Sequence, residues 1–196
     1  MVSINCIPST IVSKIRFIAH RYPLVSYEEA LKLHEELHKK RVFLGNSIKD
    51  HLNNIIELVD IYNVKSVCDY GCGKAHCWIK TNLKETLGLD EVLLYDPCYE
   101  IYKKFPDKKV DMIICTDVME HIPEDSVDYE LKRIFDLTDG VIYFSISSVL
   151  SKKQLKKDVN AHLTVKDQKW WYNKIQKHVK NHIVRGIKYD PNKLEG

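Results

Sequence analysis

The stretch that decides the fold of this 196-residue chain is Val67-Cys68-Asp69-Tyr70-Gly71-Cys72-Gly73-Lys74-Ala75. It opens with a short β-type run and passes into a loop that holds two glycines. Glycine lets a backbone approach a ligand closely, and free N–H groups at the start of a following helix face that ligand. We therefore predict a strand over residues 66–69, a ligand-binding loop, and a helix over residues 74–83.

The spacing of the glycines argues against two common phosphate-binding loops. A dinucleotide fingerprint needs a third glycine three residues after Gly73, and that position holds His76. A Walker loop needs Gly-Lys followed by Ser or Thr, whereas Lys74 is followed by Ala75. A nicotinamide-dependent oxidoreductase, which would share the alternating fold, is therefore the weaker interpretation of this loop.

Around this stretch, strand patterns alternate with helix patterns. Ser26 and Glu29 form a capping box ahead of apolar residues at helical spacing, and a second apolar stripe runs over residues 48–59. Further helices are predicted over residues 126–135 and 167–179. Further strands are predicted over residues 92–95, 112–115, 141–146 and 182–189. Such alternation indicates an α/β fold with a doubly wound, mainly parallel sheet, which binds ligands at the carboxyl ends of its strands.

Three motifs in this order resemble those of class I S-adenosylmethionine-dependent methyltransferases. Asp69 and the two glycines match the first motif, acidic-x-Gly-x-Gly-x-Gly, with Ala75 in place of the last glycine. Asp96 ends the next strand, where that family has an acidic residue on the ribose hydroxyls. Residues 111–122 resemble the motif of the family's fourth strand. The resemblance covers residues 64–147.

The resemblance implies a Rossmann-like methyltransferase sheet with S-adenosylmethionine as cofactor. Gly71 and Gly73 would admit its methionine portion, Asp69 would face its ammonium group, and Asp96 would hold its ribose. Thr116 and Asp117 would complete the cofactor contacts. Only residues 97–110 separate Asp96 from Asp111, so the sheet is expected to be trimmed between the family's second and fourth strands. The adenine would then be walled by aromatic side chains, with these candidates: Tyr99, Tyr102 and Phe105.

Asp117, Glu120 and His121 form a second cluster, at a spacing that can bring them to one side of a turn. Together with His162, they resemble the ligand set of metal-dependent ribose 2′-O-methyltransferases, and their oxygen and nitrogen atoms suit Mg²⁺ or Mn²⁺. The cluster predicts a metal beside the transferable methyl group. Two alternatives stay open: a metal-free site in which His121 or His162 is the general base, and a structural role in positioning the loop.

Charge is unevenly distributed along the chain, whose net charge is +3. Residues 151–196 carry 12 Lys and Arg against 4 Asp and Glu, and the remainder carries 18 against 23. Trp170 and Trp171 lie inside the basic part; Trp171 is predicted to be core, and Trp170 to wall an acceptor pocket. A basic segment indicates an anionic partner or a solvated lysine-rich face. The expected acceptor is a hydroxylated molecule: a carbohydrate, a nucleic-acid ribose or a small metabolite.

Length and composition fit one soluble domain over residues 1–196. It would comprise N-terminal helices (1–63), a cofactor-binding core (64–147) and a basic acceptor-side segment with the last strand (148–196). No run of 18 apolar residues and no signal-peptide pattern occur, so we expect a cytoplasmic protein without a membrane partner. The sequence thus predicts a methyltransferase that O-methylates a hydroxyl group. The second interpretation is a catalytically silent subunit that binds S-adenosylmethionine to support a partner.

Overall fold

The structure of the protein is a computed structural model, which describes residues 25–40 and 42–186. Its helices alternate with strands in the order that the sequence predicts. The helices are α1 (Tyr27–Lys39), α2 (Leu52–Ile61), α3 (His76–Ile79), α4 (Leu83–Thr86), α5 (Val127–Asp136) and α6 (Gln168–Gln176). Short 3₁₀ turns cover Ser47–His51, Met119–His121 and Glu124–Ser126.

Five parallel strands form the central sheet. They are β1 (Ser66–Tyr70), β2 (Glu91–Tyr95), β3 (Val110–Thr116), β4 (Thr138–Ser145) and β7 (Ile183–Arg185). Their order across the sheet is β2-β1-β3-β4-β7, so the chain turns to one side after β1 and to the other after β2. The strand order therefore reverses between β1 and β3, whose carboxyl ends are the expected ligand site of such a sheet. The remaining strands, β5 (Gln154–Lys156) and β6 (Val159–Asn160), pair as an antiparallel hairpin.

The prediction of a doubly wound, parallel, Rossmann-like sheet is confirmed. The trimming is visible between β2 and β3, where the chain makes tight turns instead of a further strand and helix. Tyr99 N–H donates to the Asp96 carbonyl, and Asp96 N–H donates to the Tyr102 carbonyl, so the segment folds back on itself at once.

The single helix predicted over residues 74–83 is wrong, because the chain forms two short helices there, α3 and α4. The break falls at Lys80-Thr81-Asn82, where the Thr81 hydroxyl donates to the Cys77 carbonyl. A hydroxyl that bonds the backbone locally competes with the next turn of a helix. The predicted last strand is observed only as β7, since residues 187–189 lie outside the described ranges.

Two apolar cores cover the two faces of the sheet, as its fully buried central strands require. A third, smaller cluster joins α1 to the β5–β6 hairpin through Val25, Ala30 and Val159, and a Lys156–Glu29 ion pair adds a polar contact. We call α1 and this hairpin together the roof, because both extend over the carboxyl ends of the strands. In the part of the chain that the structure describes, no helix has the length and apolar character to cross a bilayer.

Candidate functional site

The glycine loop begins directly after β1, where the chain must turn sharply. Gly71 and Gly73 have φ angles of +80° and +56°, in the left-handed region that glycine adopts without strain. A Cβ on Gly71 would lie 2.3 Å from Val118 Cγ2, and one on Gly73 would lie 2.4 Å from the Phe43 carbonyl oxygen. Ala75, in place of the family's third glycine, also adopts a left-handed φ of 52°. The loop thus needs its glycines for packing as well as for access by a ligand.

Asp69 lies beneath this loop and contacts neither cavity of the site. It is 3% exposed, and its Oδ2 accepts a hydrogen bond from Trp78 Nε1 at 2.8 Å. Burial raises its pKa to about 7, with Asp96 adding a smaller effect of the same sign. The expectation that Asp69 faces the cofactor ammonium stays a prediction. The contact that the structure shows is with the indole of Trp78.

Asp96, one residue beyond β2, is the best-placed carboxylate for a ribose. Its Oδ2 accepts from Gly73 N–H and its Oδ1 from Cys98 N–H, both at 2.8 Å. These bonds tie the end of β2 to the glycine loop after β1. His38, on α1, approaches the same carboxylate, with its Nε2 3.7 Å from Oδ1. Burial raises the pKa of Asp96, while the two backbone hydrogen bonds oppose that shift.

Thr116 and Asp117 end β3 on the other side of the switch point. Thr116 Oγ1 lies 3.0 Å from Ser47 Oγ. Asp117 has a left-handed φ of 56°, and its Oδ1 accepts from Ser145 Oγ at 3.1 Å. A non-glycine residue in this region is strained, and such strain gathers at functional sites. The adjacent strand β4 therefore holds Asp117 in an unusual conformation at the centre of the site.

The predicted metal site is not supported by the structure. In the described ranges, no group of three or more His, Cys, Asp or Glu side chains is arranged to hold a metal ion. The physical reason is that Glu120 turns inward: it is fully buried, and its Oε1 accepts from Ser147 N–H at 2.8 Å. The Asp117 carboxylate is likewise engaged by Ser145. All four predicted ligands line one cavity, in which the ring centroids of His121 and His162 are 4.9 Å apart, but the two carboxylates are engaged by the protein itself.

Both of these histidines are fixed by backbone carbonyls, which determine their tautomers. A carbonyl only accepts, so His121 Nδ1–H donates to Ala161 O at 2.7 Å and His162 Nδ1–H donates to Val149 O at 2.6 Å. A neutral imidazole at either position therefore has its lone pair on Nε2. Burial lowers the pKa of His121 to about 3, with smaller contributions from His34 and His162. His121 is consequently neutral at physiological pH.

A third histidine, His34 of α1, completes the array. Its Nδ1–H donates to the Ala30 carbonyl at 2.8 Å, so its Nε2 accepts and lies 3.2 Å from His121 Nδ1. His34 and His38 were not among the residues that the sequence singled out. Their spacing of four, on a helix whose start at Ser26 was predicted, was the signal that could have found them. The capping bond itself, from Glu29 N–H to Ser26 Oγ, is present at 3.2 Å.

Two cavities adjoin these residues. The first lies between α1 and the ends of β1, β2 and β3, and has a volume of about 90 Å³. Its lining includes His34, His38 and Asp96. The second, wider and more open, is lined among others by Gly73, Thr116, Glu120, Ser151, Lys153 and His162. Four residues line both cavities: Phe43, Gly71, Asp117 and His121.

Little of the basic segment reaches these cavities. Lys153 lines the second cavity, with its Nζ 5.0 Å from the centroid of the Phe43 ring. Several other lysines form ion pairs with the body of the protein: Lys156–Glu29, Lys166–Glu124 and Lys174–Asp128. Trp171 is buried, as predicted. Trp170 packs against Trp171, lies under the ammonium groups of Lys166 and Lys174, and is not in the lining of either cavity. Its predicted place in the wall of an acceptor pocket stays a prediction.

A parallel sheet with a glycine loop after one strand and a carboxylate after the next defines a nucleotide-binding protein of the Rossmann-like class. Comparison with protein families identifies it further, because a family model described as a methyltransferase domain matches residues 32–187. The chain belongs to this methyltransferase family. The match supports S-adenosylmethionine-dependent methyltransferase activity and implies S-adenosylmethionine as the cofactor. Neither a curated protein nor a solved structure matches the chain.

Proposed function

We propose that the protein is an O-methyltransferase whose cofactor lies across the two cavities. The observation that carries the proposal is that both cavities meet at Gly71, Asp117 and His121. With the ribose at Asp96 in the first cavity, the methionine portion would pass Gly71 and Gly73 into the second. Thr116 and Asp117 would line that passage. The sulfonium methyl would then lie near His121, at the junction of the cavities.

His121 is the proposed general base. Methyl transfer is an in-line displacement in which the acceptor oxygen forms a bond to the methyl carbon while the carbon–sulfur bond breaks. The hydroxyl proton becomes strongly acidic as that bond forms, and it passes to the His121 Nε2 lone pair. Since the pKa of His121 is held at about 3, the imidazole is unprotonated across the physiological range; because so low a pKa makes it a weak base, it takes the proton only as methyl transfer makes the hydroxyl strongly acidic. His162, with the same tautomer, is the second candidate for this role.

The acceptor is proposed to be a hydroxylated molecule that enters the second cavity beside Ser151, Lys153 and His162. Carbohydrates, nucleic-acid riboses and small metabolites all carry the required hydroxyl group. The cavity lining contains one lysine, Lys153, which favours a compact acceptor over an extended polyanion, because a polyanion needs several cations at its binding site.

Calorimetry with S-adenosylmethionine tests the proposal. Asp96→Asn is expected to weaken binding at least about tenfold, because the ribose loses an ionised hydrogen-bond acceptor. Glu91→Gln is the matched control: Glu91 begins the same strand that Asp96 follows, and its ion pair with Lys108 is exposed. No binding to the wild type, or equal affinities of the two variants, would contradict the proposed site.

A screen for turnover accompanies the binding experiment. The wild-type protein is incubated with S-adenosylmethionine and, in turn, with sugars, ribonucleosides, short RNAs and small hydroxylated metabolites, and release of S-adenosylhomocysteine is measured. Release with at least one class supports methyl transfer. Tight cofactor binding without release from any of them would favour the silent-subunit interpretation.

A further inference from the structure

Helix α1 presents one polar face to the site. Tyr27, His34 and His38 recur at helical spacing on the side that lines the first cavity. Tyr27 donates to the Glu130 carboxylate, His34 accepts from His121, and His38 lies against Asp96. The Lys74 ammonium donates to the His38 carbonyl at 2.8 Å, which fixes the end of the helix to the glycine loop. Each polar side chain on this face thus meets a different part of the site.

His38 is the member of this face whose hydrogen bonding is incomplete. It is 6% exposed, and among the described residues its Nδ1 has no hydrogen-bond partner. Its Nε2 lies 3.7 Å from Asp96 Oδ1, beyond the length of a hydrogen bond. The ring is held in place by stacking on Tyr99, with centroids 5.6 Å apart and planes 21° apart, and by Phe43 at 5.1 Å. The imidazole is therefore rigid, buried and in need of a partner.

The neighbouring carboxylate has unused capacity as well. Asp96 accepts one backbone N–H on each oxygen, from Gly73 and Cys98, whereas an ionised carboxylate offers about four acceptor positions. A neutral imidazole has one donor and one acceptor. A ligand that carries two adjacent hydroxyl groups would match this pair, because each hydroxyl both donates and accepts.

We propose that His38 is a ribose-binding residue that acts together with Asp96. Asp96 and His38 line the same cavity, where they would hold the two hydroxyls of the cofactor ribose. This inference rests on the proposed cofactor site. It makes α1 part of that site, so binding of the ribose holds the roof closed over the cofactor.

Ribose analogues test this proposal. The affinities of S-adenosylhomocysteine and of its 2′-deoxy and 3′-deoxy analogues are measured by calorimetry for the wild type and His38→Phe. Phenylalanine keeps the stacked ring but has no nitrogen. We expect a loss of about tenfold for S-adenosylhomocysteine, and a clearly smaller loss for the analogue that lacks the hydroxyl on His38. His38→Gln, whose amide can replace Nε2, the nitrogen that faces Asp96, is expected to recover part of the affinity.

The controls separate the possible failures. His178→Phe, which changes a histidine that contacts Asp128 on α5, is expected to bind like the wild type. An unchanged affinity of His38→Phe, or an equal loss for all three ligands in folded protein, would overturn the role of His38 alone. A wild-type protein that binds none of the ligands would overturn the proposed cofactor site together with it.

Discussion

At the scale of single residues, His121 has one ring nitrogen engaged and one available. Its Nδ1–H is shared between the Ala161 carbonyl and His34 Nε2, at 2.7 and 3.2 Å. The first partner is on the hairpin side of the roof and the second is on α1. Because Nδ1 is held from both sides, the ring cannot rotate easily, and its Nε2 lone pair keeps a fixed direction. Fixed orientation is what a general base requires.

Replacement of His121 by asparagine separates positioning from proton transfer. The asparagine amide can still donate to Ala161, but it has no basic nitrogen. We expect His121→Asn to lower kcat by about 10²–10⁴ and to leave the affinity for S-adenosylmethionine nearly unchanged. The readout is S-adenosylhomocysteine release with the acceptor found in the screen. His178→Asn is the control, and a wild-type kcat for His121→Asn would move the role of base to His162.

The contacts of Glu120 and His121 show what could not be predicted from the sequence. The spacing Asp-x-x-Glu-His was visible, and it does bring His121 near His162. However, the 3₁₀ turn at 119–121 rotates Glu120 into the interior, where Ser147 N–H binds it. That contact spans 27 residues, and the contact between His34 and His121 spans 87. Local spacing does not encode contacts of this range, so the metal interpretation has no support among the described residues and the role of α1 was missed.

At the scale of helices and strands, the roof and the sheet are stabilised by different kinds of contact. Its own apolar cluster is small, and much of its attachment to the body is polar. Tyr27 joins Tyr70 and Arg133 on one buried carboxylate, Glu130, and Arg133 in turn donates to Tyr95 at 2.8 Å. Elements with few buried apolar contacts open at lower free energy than core strands. We expect the roof to open while the sheet stays folded.

Tyr27→Phe tests this expectation by removing one hydroxyl from the attachment. Backbone amides of α1 should lose protection in hydrogen exchange by about three- to tenfold, which corresponds to the roughly 0.5–1.5 kcal/mol of one hydrogen bond. Amides of β1 and β3 should not change, and saturating S-adenosylhomocysteine should restore protection of α1. Tyr129→Phe, with an exposed ring on α5, is the control. A uniform loss of protection would show that the roof and sheet open as one unit.

Strand and helix positions were the part of the fold that the sequence predicted best. The buried strands read as continuous apolar runs, and the capped helix α1 and the stripe of α2 have the period of a helix. The hairpin in the basic segment was missed because its strands are only two and three residues long, too short to give a recognisable pattern. The lysines of the basic segment indicated a surface for an anionic partner, whereas three of them form ion pairs with carboxylates in other parts of the protein.

At the scale of the whole molecule, buried titratable groups act on stability in opposite directions. The pKa of Asp69 is raised from 3.8 to about 7, so the folded state binds its proton more tightly and stability falls as pH rises from about 4 to 7. The pKa values of His121 and His38 are lowered to about 3 and 4, so stability falls as pH drops below 6.5. The free energy of unfolding should therefore be greatest at mildly acidic to neutral pH.

Asp69→Asn is expected to remove the part of the loss of stability that the ionisation of Asp69 causes as pH rises. Asparagine keeps an oxygen that accepts from Trp78, but it does not ionise. At pH 8 the free energy of unfolding of the variant should exceed that of the wild type, by at most roughly 4 kcal/mol for a shift of about three pKa units. At pH 5 the difference between the two proteins should be smaller. Thermal unfolding at the two values measures the difference. An equal gain in stability at pH 5 and pH 8 would contradict ionisation of Asp69 as the cause.

The short connection between β2 and β3 affects which backbone groups the protein can offer to a second molecule. In the described part of the chain, β2 is the outermost strand on its side of the sheet. Such a strand turns a row of backbone N–H and C=O groups outward, and these can pair with a strand from a second molecule. Charge at the margin opposes such pairing, and the Glu91–Lys108 ion pair lies at the start of this strand. Among the described residues, the shortened sheet thus ends at a backbone edge whose first residue is held in an ion pair.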